Sequence, residues 1–291
     1  MTGRRWLPRH GEGWPPELEH LTQPPAGLWL DGSGRLGDLG VAVVGARRAT
    51  LGGLEIARSI ATELIGLGVT VISGFARGID AAAHGGALDA GGGTVAVLGC
   101  GLDIDYPREH GGLRERVRAG GLLVTEYPSQ RTPEGFLFPR RNRLIAALAR
   151  VVVVVEATER SGALSTARWA ADLGREVLAV PGSIRAEQHH GCNLLIRDGV
   201  RPYLGVEDLV ESIPELGLTV VPATRAQGGR TALSAPLRTL LDRLGADPIH
   251  PDTVAALLGL DAAETAARLS ALELAGAVRS LPGGLVLRAT G

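Results

Sequence analysis

The sequence contains no lysine, and all 30 of its basic residues are arginine. This absence excludes a Walker-type phosphate lysine, a Schiff-base lysine and a lysine general base. Any site for anions must therefore be built from arginine guanidinium groups, backbone N–H groups and helix N-termini.

Cysteines and long apolar segments are also scarce. The two cysteines, Cys100 and Cys192, are too few for a disulfide framework. The apolar run Val151–Val155 has the length of a strand, well below the roughly 20 residues that a membrane span needs. The N-terminal segment has no apolar core after its arginines, which is unlike a secretory signal. We therefore expect a cytoplasmic protein with reduced thiols.

The formal net charge is −1, so the chain is not a uniformly basic nucleic-acid binder. Residues 41–205 contain 19 arginines and 16 acidic residues, a difference of +3, whereas residues 230–291 contain six of each. A nucleic-acid site would therefore be local and would belong to the first of these two segments.

From residue 41 onward, short apolar segments alternate with amphipathic ones at intervals typical of βαβ units. The predicted strands are Val41–Val44, Val69–Ser73, Thr94–Leu98, Leu122–Thr125, Val151–Val155 and Val177–Val180. Strands made almost entirely of valine, isoleucine and leucine indicate a parallel sheet that is covered on both faces. The pattern predicts an α/β fold of the Rossmann type, doubly wound around a mainly parallel sheet.

Two flanking segments complete the predicted organisation. Residues 1–40, rich in proline, glycine and tryptophan, form an irregular lead-in with one short helix near Pro16–Leu21, and residues 41–212 form the Rossmann-type domain. Residues 213–230 have the composition of a linker. Residues 231–291 then predict three helices and a terminal hairpin, which is a winged-helix arrangement.

Ligands of open parallel sheets bind beyond the carboxyl ends of the strands, where the strand order reverses. The loop after the first strand of the repeat begins with Gly45 and contains Arg47 and Arg48, which suit the phosphates of a polymer. It lacks the G-x-G-x-x-G spacing, so a dinucleotide role is disfavoured. Ser161, followed by Gly162, is an expected N-cap, whose helix would present free N–H groups to a phosphate.

A basic aromatic segment precedes the strand of valines. It contains two phenylalanines, three arginines and an asparagine: Phe136, Phe138, Arg140, Arg141, Asn142 and Arg143. On a helix, Arg140 and Arg143 would share one face, and an exposed Phe138 would offer a platform for stacking a base. Alternatively, the rings belong to the core and the arginines pair with acidic side chains. The residues alone leave both interpretations open.

Other candidate sites are weaker. His189, His190 and Cys192 lie close in sequence but lack the spacing of a metal site. Asp103, Asp105 and Glu109 follow a strand as turn and cap residues. No nucleophile is spaced with a partnered histidine, so we expect no catalytic centre, no metal and no cofactor.

Taken in order, the motifs VAVVGARRATLGG, VISGFARGIDAAAHGGAL, FPRRNRLIAAL, EATERSGALSTARWA and GCNLLIRDGV resemble those of the DNA-processing protein A family (DprA, also called Smf). The resemblance extends from about Val41 to Val200. It implies a non-enzymatic single-stranded DNA-binding protein that acts in natural transformation, protects incoming DNA and loads RecA onto it. It also implies a homodimer that displaces single-strand binding protein.

The family motifs assign the DNA pocket to Gly45, Arg47, Phe138, Arg140, Asn142, Arg143, Ser161 and Gly162, with Asn193 as a further candidate. Arg48 and Arg141 are added from the arginine pattern described above. By the same resemblance Leu194, Leu195 and Ile196 are expected dimer contacts.

Several features depart from the family pattern. Ala46 stands where serine is frequent, Phe75 stands where leucine or methionine is usual, and Arg140 stands in for a lysine. The 40 leading residues are too few for the N-terminal helical domain of many members, which indicates a short form or a trimmed sequence. Two alternative functions remain: a phosphoribohydrolase-like enzyme, disfavoured because Pro181-Gly182-Ser183 lacks the rest of that signature, and a protein-interaction adaptor that uses the winged-helix unit.

Overall fold

The computed structural model describes residues 3–213, 216, 235–245, 247–275, 277–281 and 284–288. The chain divides into two compact units, residues 1–219 and 220–291. Almost all of the predicted linker, residues 213–230, lies outside the described residues. Within the described part, no helix is both long and apolar enough to cross a membrane.

The first unit is built on a nine-stranded sheet. Its strands are β1 (Arg5–Pro8), β2 (Gly27–Gly32), β3 (Gly40–Val44), β4 (Thr70–Ser73), β5 (Thr94–Val97), β6 (Leu122–Thr125), β7 (Val151–Val154), β8 (Glu176–Ala179) and β9 (Arg201–Pro202). Their order is β1-β2-β6-β5-β4-β3-β7-β8-β9. In this sheet order, every neighbouring pair from β6 across to β9 is parallel. Strand β2 pairs antiparallel with β6, and β1 pairs antiparallel with β2. The predicted doubly wound, mainly parallel fold is confirmed.

Among the described residues of the first unit there are seven α-helices, which cover this sheet. They are α1 (Leu51–Gly66), α2 (Ile79–Asp89), α3 (Gly111–Gly120), α4 (Leu137–Leu148), α5 (Gly162–Asp172), α6 (Glu187–Arg197) and α7 (Val206–Ser212). Single 3₁₀ turns lie at Pro16–His20 and Arg108–His110.

The valine-rich strands are buried on both faces, as their composition requires. Val151 and Val153 pack with α1, α2 and α7, whereas Val152 and Val154 pack with α4, α5 and α6. Alternate residues of one strand thus contribute to two separate cores. The chain winds from β3 outward to β6 and then returns to place β7 on the other side of β3. The strand order therefore reverses at the carboxyl ends of β3 and β7.

The lead-in is more ordered than its composition predicted. The predicted short helix is present as a 3₁₀ turn, but β1 and β2 on either side of it were missed. Strand β2 pairs with β6 through Trp29–Gly32, so the lead-in extends the sheet. Leu18, within the 3₁₀ turn, is fully buried in the same core as α4 and α5. Backbone pairing to the sheet therefore orders a segment with little apolar periodicity of its own.

The second unit contains α8 (Ala235–Arg243), α9 (Pro251–Leu258), α10 (Ala262–Leu274), β10 (Val278–Ser280) and β11 (Val286–Arg288). The two strands pair antiparallel, and Ile249 adds a single bridge to Val286. Leu240, Val254, Leu272 and Val278 belong to its separate core. Three helices followed by a hairpin confirm the predicted winged-helix architecture; residues 282 and 283 of the hairpin lie outside the described residues.

Replacing Leu18 by alanine tests whether the lead-in is part of the core of the first unit. We expect the free energy of unfolding to fall by about 2–5 kcal/mol, because a fully buried leucine is replaced by a cavity. Chemical denaturation of the full chain measures the change. His20→Ala, on an exposed neighbour in the same turn, should leave stability nearly unchanged. A Leu18→Ala variant as stable as this control would show that the lead-in packs independently.

Candidate nucleic-acid interface

A pocket of about 700 Å³ opens at the carboxyl ends of β3 and β7. It lies where the strand order reverses, at the place that the fold predicts for a ligand. Eight of the predicted site residues line it: Gly45, Arg47, Arg48, Phe138, Arg141, Asn142, Ser161 and Gly162. Arg140, Arg143 and Asn193 are not part of this lining. Tyr106, Asp80 and Thr158, which were not predicted as site residues, also line the pocket.

The loop after β3 is fixed by a buried carboxylate. Glu156, which follows β7, accepts hydrogen bonds from the backbone N–H of Thr50 at 3.0 Å and from its hydroxyl at 2.5 Å. The Thr50 hydroxyl in turn accepts from the backbone N–H of Gly53 at 2.9 Å and so caps α1. A side chain at Gly53 would lie 2.4 Å from the Glu156 carboxyl carbon, which explains the glycine. The carboxylate therefore joins the two loops that border the pocket.

Arg47 and Arg48 are exposed at the rim of the pocket. Among the described residues, neither forms an ion pair. The Arg47 guanidinium lies over the Phe138 ring, 5.0 Å from its centroid, and the Tyr106 ring lies 5.5 Å from the same centroid. Both arginine charges are therefore available to an anionic ligand, while Phe138 is already in contact with its neighbours.

Arg141 is a structural residue of the pocket wall. Its side chain is 3% exposed, and it donates to the backbone carbonyls of Gly74 and Val97, just beyond β4 and at the end of β5. Burial lowers the pKa of Arg141 to about 10, so the group stays charged at neutral pH. Nη1 of Arg141 is thus engaged by backbone carbonyls and Nε by the Asn142 side chain, while the prediction that Arg141 contacts DNA stays a prediction.

Asp80 supports the same loop from the start of α2. Its carboxylate accepts from the backbone N–H groups of Gly74 and Ala76, each at 3.1 Å. Burial raises the pKa of Asp80, and the nearby charge of Arg141 opposes that rise. A side chain at Gly74 would lie 2.6 Å from the Arg141 guanidinium and 2.7 Å from the Asp80 carboxylate, so glycine is required there.

Arg140 and Arg143 do not share an exposed face. Arg140 is exposed outside the pocket, whereas Arg143 is 5% exposed and pairs with Glu126 at 2.6 Å. Glu126 directly follows β6, so the pair joins α4 to the edge of the sheet. For Arg143, the alternative interpretation of an arginine paired with an acid is correct. The spacing within α4 predicted that Arg140 and Arg143 share one face of the helix. It did not indicate which residues of the helix the rest of the fold would bury.

Asn142 and Ser161 organise the start of α5. The Ser161 hydroxyl accepts from the backbone N–H of Ala163 at 3.3 Å, which confirms the predicted N-cap. The Asn142 side-chain amide donates to the Gly162 carbonyl at 3.1 Å, and its oxygen accepts from Arg141 at 3.3 Å. The first turn of α5 therefore faces the pocket with backbone N–H groups that can bind an anion.

Residues around α6 have structural contacts away from the pocket. The Asn193 amide forms two hydrogen bonds to the backbone of Gly182, at 3.0 and 3.2 Å. Leu194, Leu195 and Ile196 are half-buried, and the last two pack against the core. Cys192 is fully buried, and burial raises the pKa of its thiol to about 12. In the part of the chain that the structure describes, no three potential ligands cluster as a metal site.

The first unit is a doubly wound α/β fold with a cationic pocket at its switch point, and a winged-helix unit follows it in the chain. These two features define the class of this protein. The family model for DNA recombination-mediator protein A matches residues 5–214, and that for the DprA winged helix domain matches residues 222–284. The chain therefore belongs to the DNA recombination-mediator protein A family, as the sequence motifs indicated.

Individual relatives agree with this assignment. The putative DNA processing protein DprA of Mycobacterium tuberculosis is 42% identical over 256 residues, which cover 87% of this chain and 66% of the relative. Protein Smf of Escherichia coli is 37% identical over 286 residues, covering 96% and 76%. The chain thus spans just under two thirds of the mycobacterial relative.

Two solved structures share the fold of the first unit. DprA from Streptococcus pneumoniae superposes with a TM-score of 0.68 at 36% identity, covering 71% of this chain and 73% of that one. DNA processing protein A from Helicobacter pylori superposes with a TM-score of 0.66 at 28% identity, covering 74% and 99%. The latter structure is described in terms of a unique single-stranded DNA binding mode.

The pair formed by Arg143 and Glu126 can be tested as a structural unit. We expect Arg143→Met or Glu126→Gln to lower the free energy of unfolding by about 3–5 kcal/mol, because each leaves one buried polar group without its partner. The double variant Arg143→Met with Glu126→Leu should cost less than the sum of the single changes, since no charge then remains buried. Denaturant titrations measure all three variants.

Arg140→Met provides the matched control on the exposed side of the same helix. Its stability should stay within about 0.5 kcal/mol of the parent chain, as for most surface changes. Equal effects of the changes at Arg140 and Arg143 would contradict the assignment of Arg143 to the buried pair.

Proposed function

We propose that this protein binds single-stranded DNA in the pocket at the ends of β3 and β7. The observation that supports this most directly is the convergence of two exposed arginines, Arg47 and Arg48, with the N-terminus of α5 in one open pocket, neither arginine forming an ion pair with a described residue. Guanidinium groups and helix N-termini are the anion-binding elements available to a chain without lysine. The binding mode described for the Helicobacter pylori relative is consistent with this ligand.

The pocket is suited to binding rather than to catalysis. Its buried acids, Asp80 and Glu156, both accept hydrogen bonds from backbone N–H groups and so hold the loops of the pocket in place. Among the described residues neither acid bonds to a histidine, and the hydroxyl that bonds to Glu156, that of Thr50, is engaged in capping α1. We infer that the protein acts on DNA without breaking a bond. No observation favours the phosphoribohydrolase-like alternative.

We propose further that the protein is a recombination mediator of natural transformation. In this role it would protect incoming single strands, displace single-strand binding protein and load RecA, acting as a homodimer in the cytoplasm. Membership of the DNA recombination-mediator protein A family supports the role in recombination. The half-buried residues Leu194, Leu195 and Ile196 of α6 support an apolar self-association surface. Arg140 and Asn193 stay predicted DNA contacts outside the pocket lining.

Replacing Arg47 or Arg48 by alanine tests the pocket assignment. We expect each change to weaken binding of a labelled oligo(dT) about tenfold or more, because each removes a charged hydrogen-bond donor to phosphate. The slope of log K against log salt should fall by about 0.7 for each lost phosphate contact. Fluorescence anisotropy over a salt series measures both quantities.

Arg58→Ala is the matched control, because Arg58 is an exposed arginine on α1 that pairs with Glu55 and lies outside the pocket. It should bind oligo(dT) like the parent chain. If the Arg47 and Arg48 variants also bound like the parent, the assignment of this pocket would be wrong.

Self-association and RecA loading have a separate test. Leu194→Glu should shift the protein from dimer to monomer in light scattering, because burying a charge in an apolar interface is unfavourable. The parent chain should shorten the delay before RecA hydrolyses ATP on a strand coated with single-strand binding protein, and Arg47→Ala should not. If the parent chain left the delay unchanged, loading of RecA would be excluded. If the Leu194→Glu variant were still a dimer, the proposal that α6 forms the self-association surface would be wrong.

A further inference from the structure

The loop between β8 and α6, residues 180–186, lies next to the border of the pocket; we call it the β8 loop. Strand β8 pairs parallel with β7, and neighbouring strands of a sheet lie about 4.8 Å apart, so the loops that follow them are adjacent. Thr158 of the β7 loop lines the pocket. The backbone of Ala157 bonds to that of Gln188 at 2.8 Å and of Gly191 at 2.7 Å, in α6. The two loops are therefore tied together.

Side chains of α6 fix the β8 loop. The Asn193 amide donates to the Gly182 carbonyl at 3.0 Å and accepts from the Gly182 N–H at 3.2 Å. The His189 ring fills the space beside Gly182, since a Cβ there would lie 2.1 Å from the ring. The His190 ring donates from Nε2 to the Ile184 carbonyl at 3.1 Å. A loop held by these contacts loses little conformational freedom when a ligand binds to it.

The tip of the β8 loop presents an arginine and an apolar side chain to solvent. Arg185 is exposed, and its backbone N–H donates to the Ser183 hydroxyl at 3.3 Å. Ile184 beside it is 83% exposed, more than any other large apolar side chain that the structure describes. A nucleotide offers both an anionic phosphate and an apolar base face, and these two side chains match both.

Exposed arginines continue from the rim of the pocket to this loop. Arg47 and Arg48 follow β3, Arg160 follows β7 and Arg185 follows β8, and these three strands are consecutive neighbours in the sheet. None of the four forms an ion pair with a residue that the structure describes. The strands are parallel, so the loops that carry these charges succeed one another along the carboxyl edge of the sheet. Such a line of cations suits the backbone of a polymer.

We propose that the β8 loop is a second contact for the bound single strand, outside the pocket, in which Arg185 binds a phosphate and Ile184 packs against a base. This inference rests on the proposed function, because it extends the path of the same strand. The strand then runs along the carboxyl edge of the sheet from the pocket past Arg160 to the β8 loop.

The test measures binding of the full chain to oligo(dT) of about ten nucleotides and to an abasic strand of the same length. Arg185→Ala should weaken binding of both strands about two- to fivefold, the range for one exposed ion pair, and lower the slope of log K against log salt by about 0.7. Ile184→Ser should weaken binding of oligo(dT) by a similar factor. It should leave binding of the abasic strand unchanged, because only a base can cover the isoleucine.

Arg35→Ala is the matched control, because Arg35 is an exposed arginine in the loop before β3, at the opposite edge of the sheet. This variant should bind both strands like the parent chain. In the Arg47→Ala background, Arg185→Ala should weaken binding by the same factor as in the parent, since the two contacts are separate. A strand containing 4-thiothymidine should crosslink to the β8 loop, which mass spectrometry of the digested complex detects.

The two proposals fail in different ways. If Arg47→Ala weakened binding but both loop variants bound oligo(dT) like the parent, the second contact would be wrong and the pocket would stand. An Arg185→Ala effect that vanished in the Arg47→Ala background would also overturn the second contact, because the loop would then act only through the pocket. An equal loss on both strands with Ile184→Ser would exclude its contact with a base. Failure of the parent to bind either strand would overturn both proposals.

Discussion

The buried guanidinium of Arg141 is the interaction on which the pocket depends. It reaches from α4 to the carbonyl groups of Gly74 and Val97, so one side chain determines where two parallel strands end relative to a helix. Gly74 lies just beyond β4 and Val97 is the last residue of β5, and a buried carbonyl without a partner would be costly. Asp80 satisfies the N–H groups of the same loop from α2. Loss of Arg141 would therefore disturb a helix, two strand ends and a loop together.

Charge is divided between the wall and the rim of the pocket. Glu156, Asp80 and Arg141 are buried and engaged with backbone groups, whereas Arg47 and Arg48 are exposed. The buried groups maintain the shape of the loops, and the exposed groups are free for a ligand. This division explains how a chain with a net charge of −1 can present a locally cationic site.

The sheet was predictable because continuous valine-rich segments are typical of strands that are buried on both faces of a parallel sheet. The observed limits of β3 to β8 lie within one residue of the predicted limits. Strands β1 and β2 were missed because a segment rich in Trp, Pro and Gly shows no apolar alternation. They are held as strands by pairing, β1 with β2 and β2 with β6. The cap at Ser161 and the arginines of the first loop were correctly placed in the pocket. The three arginines at positions 140, 141 and 143 of α4, however, differ only in which tertiary neighbours cover them.

The contacts that shape the pocket lie beyond what a local pattern can show. Glu156 bonds to Thr50 across 106 positions of sequence, and Arg141 to Gly74 across 67. The glycines at positions 53 and 74 are the local trace of these contacts, because each leaves room for a buried charged group. A glycine in the first turn of a helix or after a strand has many possible causes, so its partner becomes identifiable only when the strands are assembled.

The guanidinium groups at the rim have a consequence for how this site could be regulated. The charges of the rim, at Arg47 and Arg48, are guanidinium groups, and methylation of an arginine keeps its positive charge. Lysine acetylation, which removes a positive charge in many nucleic-acid-binding proteins, has no acceptor side chain anywhere in this sequence. Control of such a pocket would have to act through competing anions, through ionic strength or through access to the rim, because the charge itself is constant.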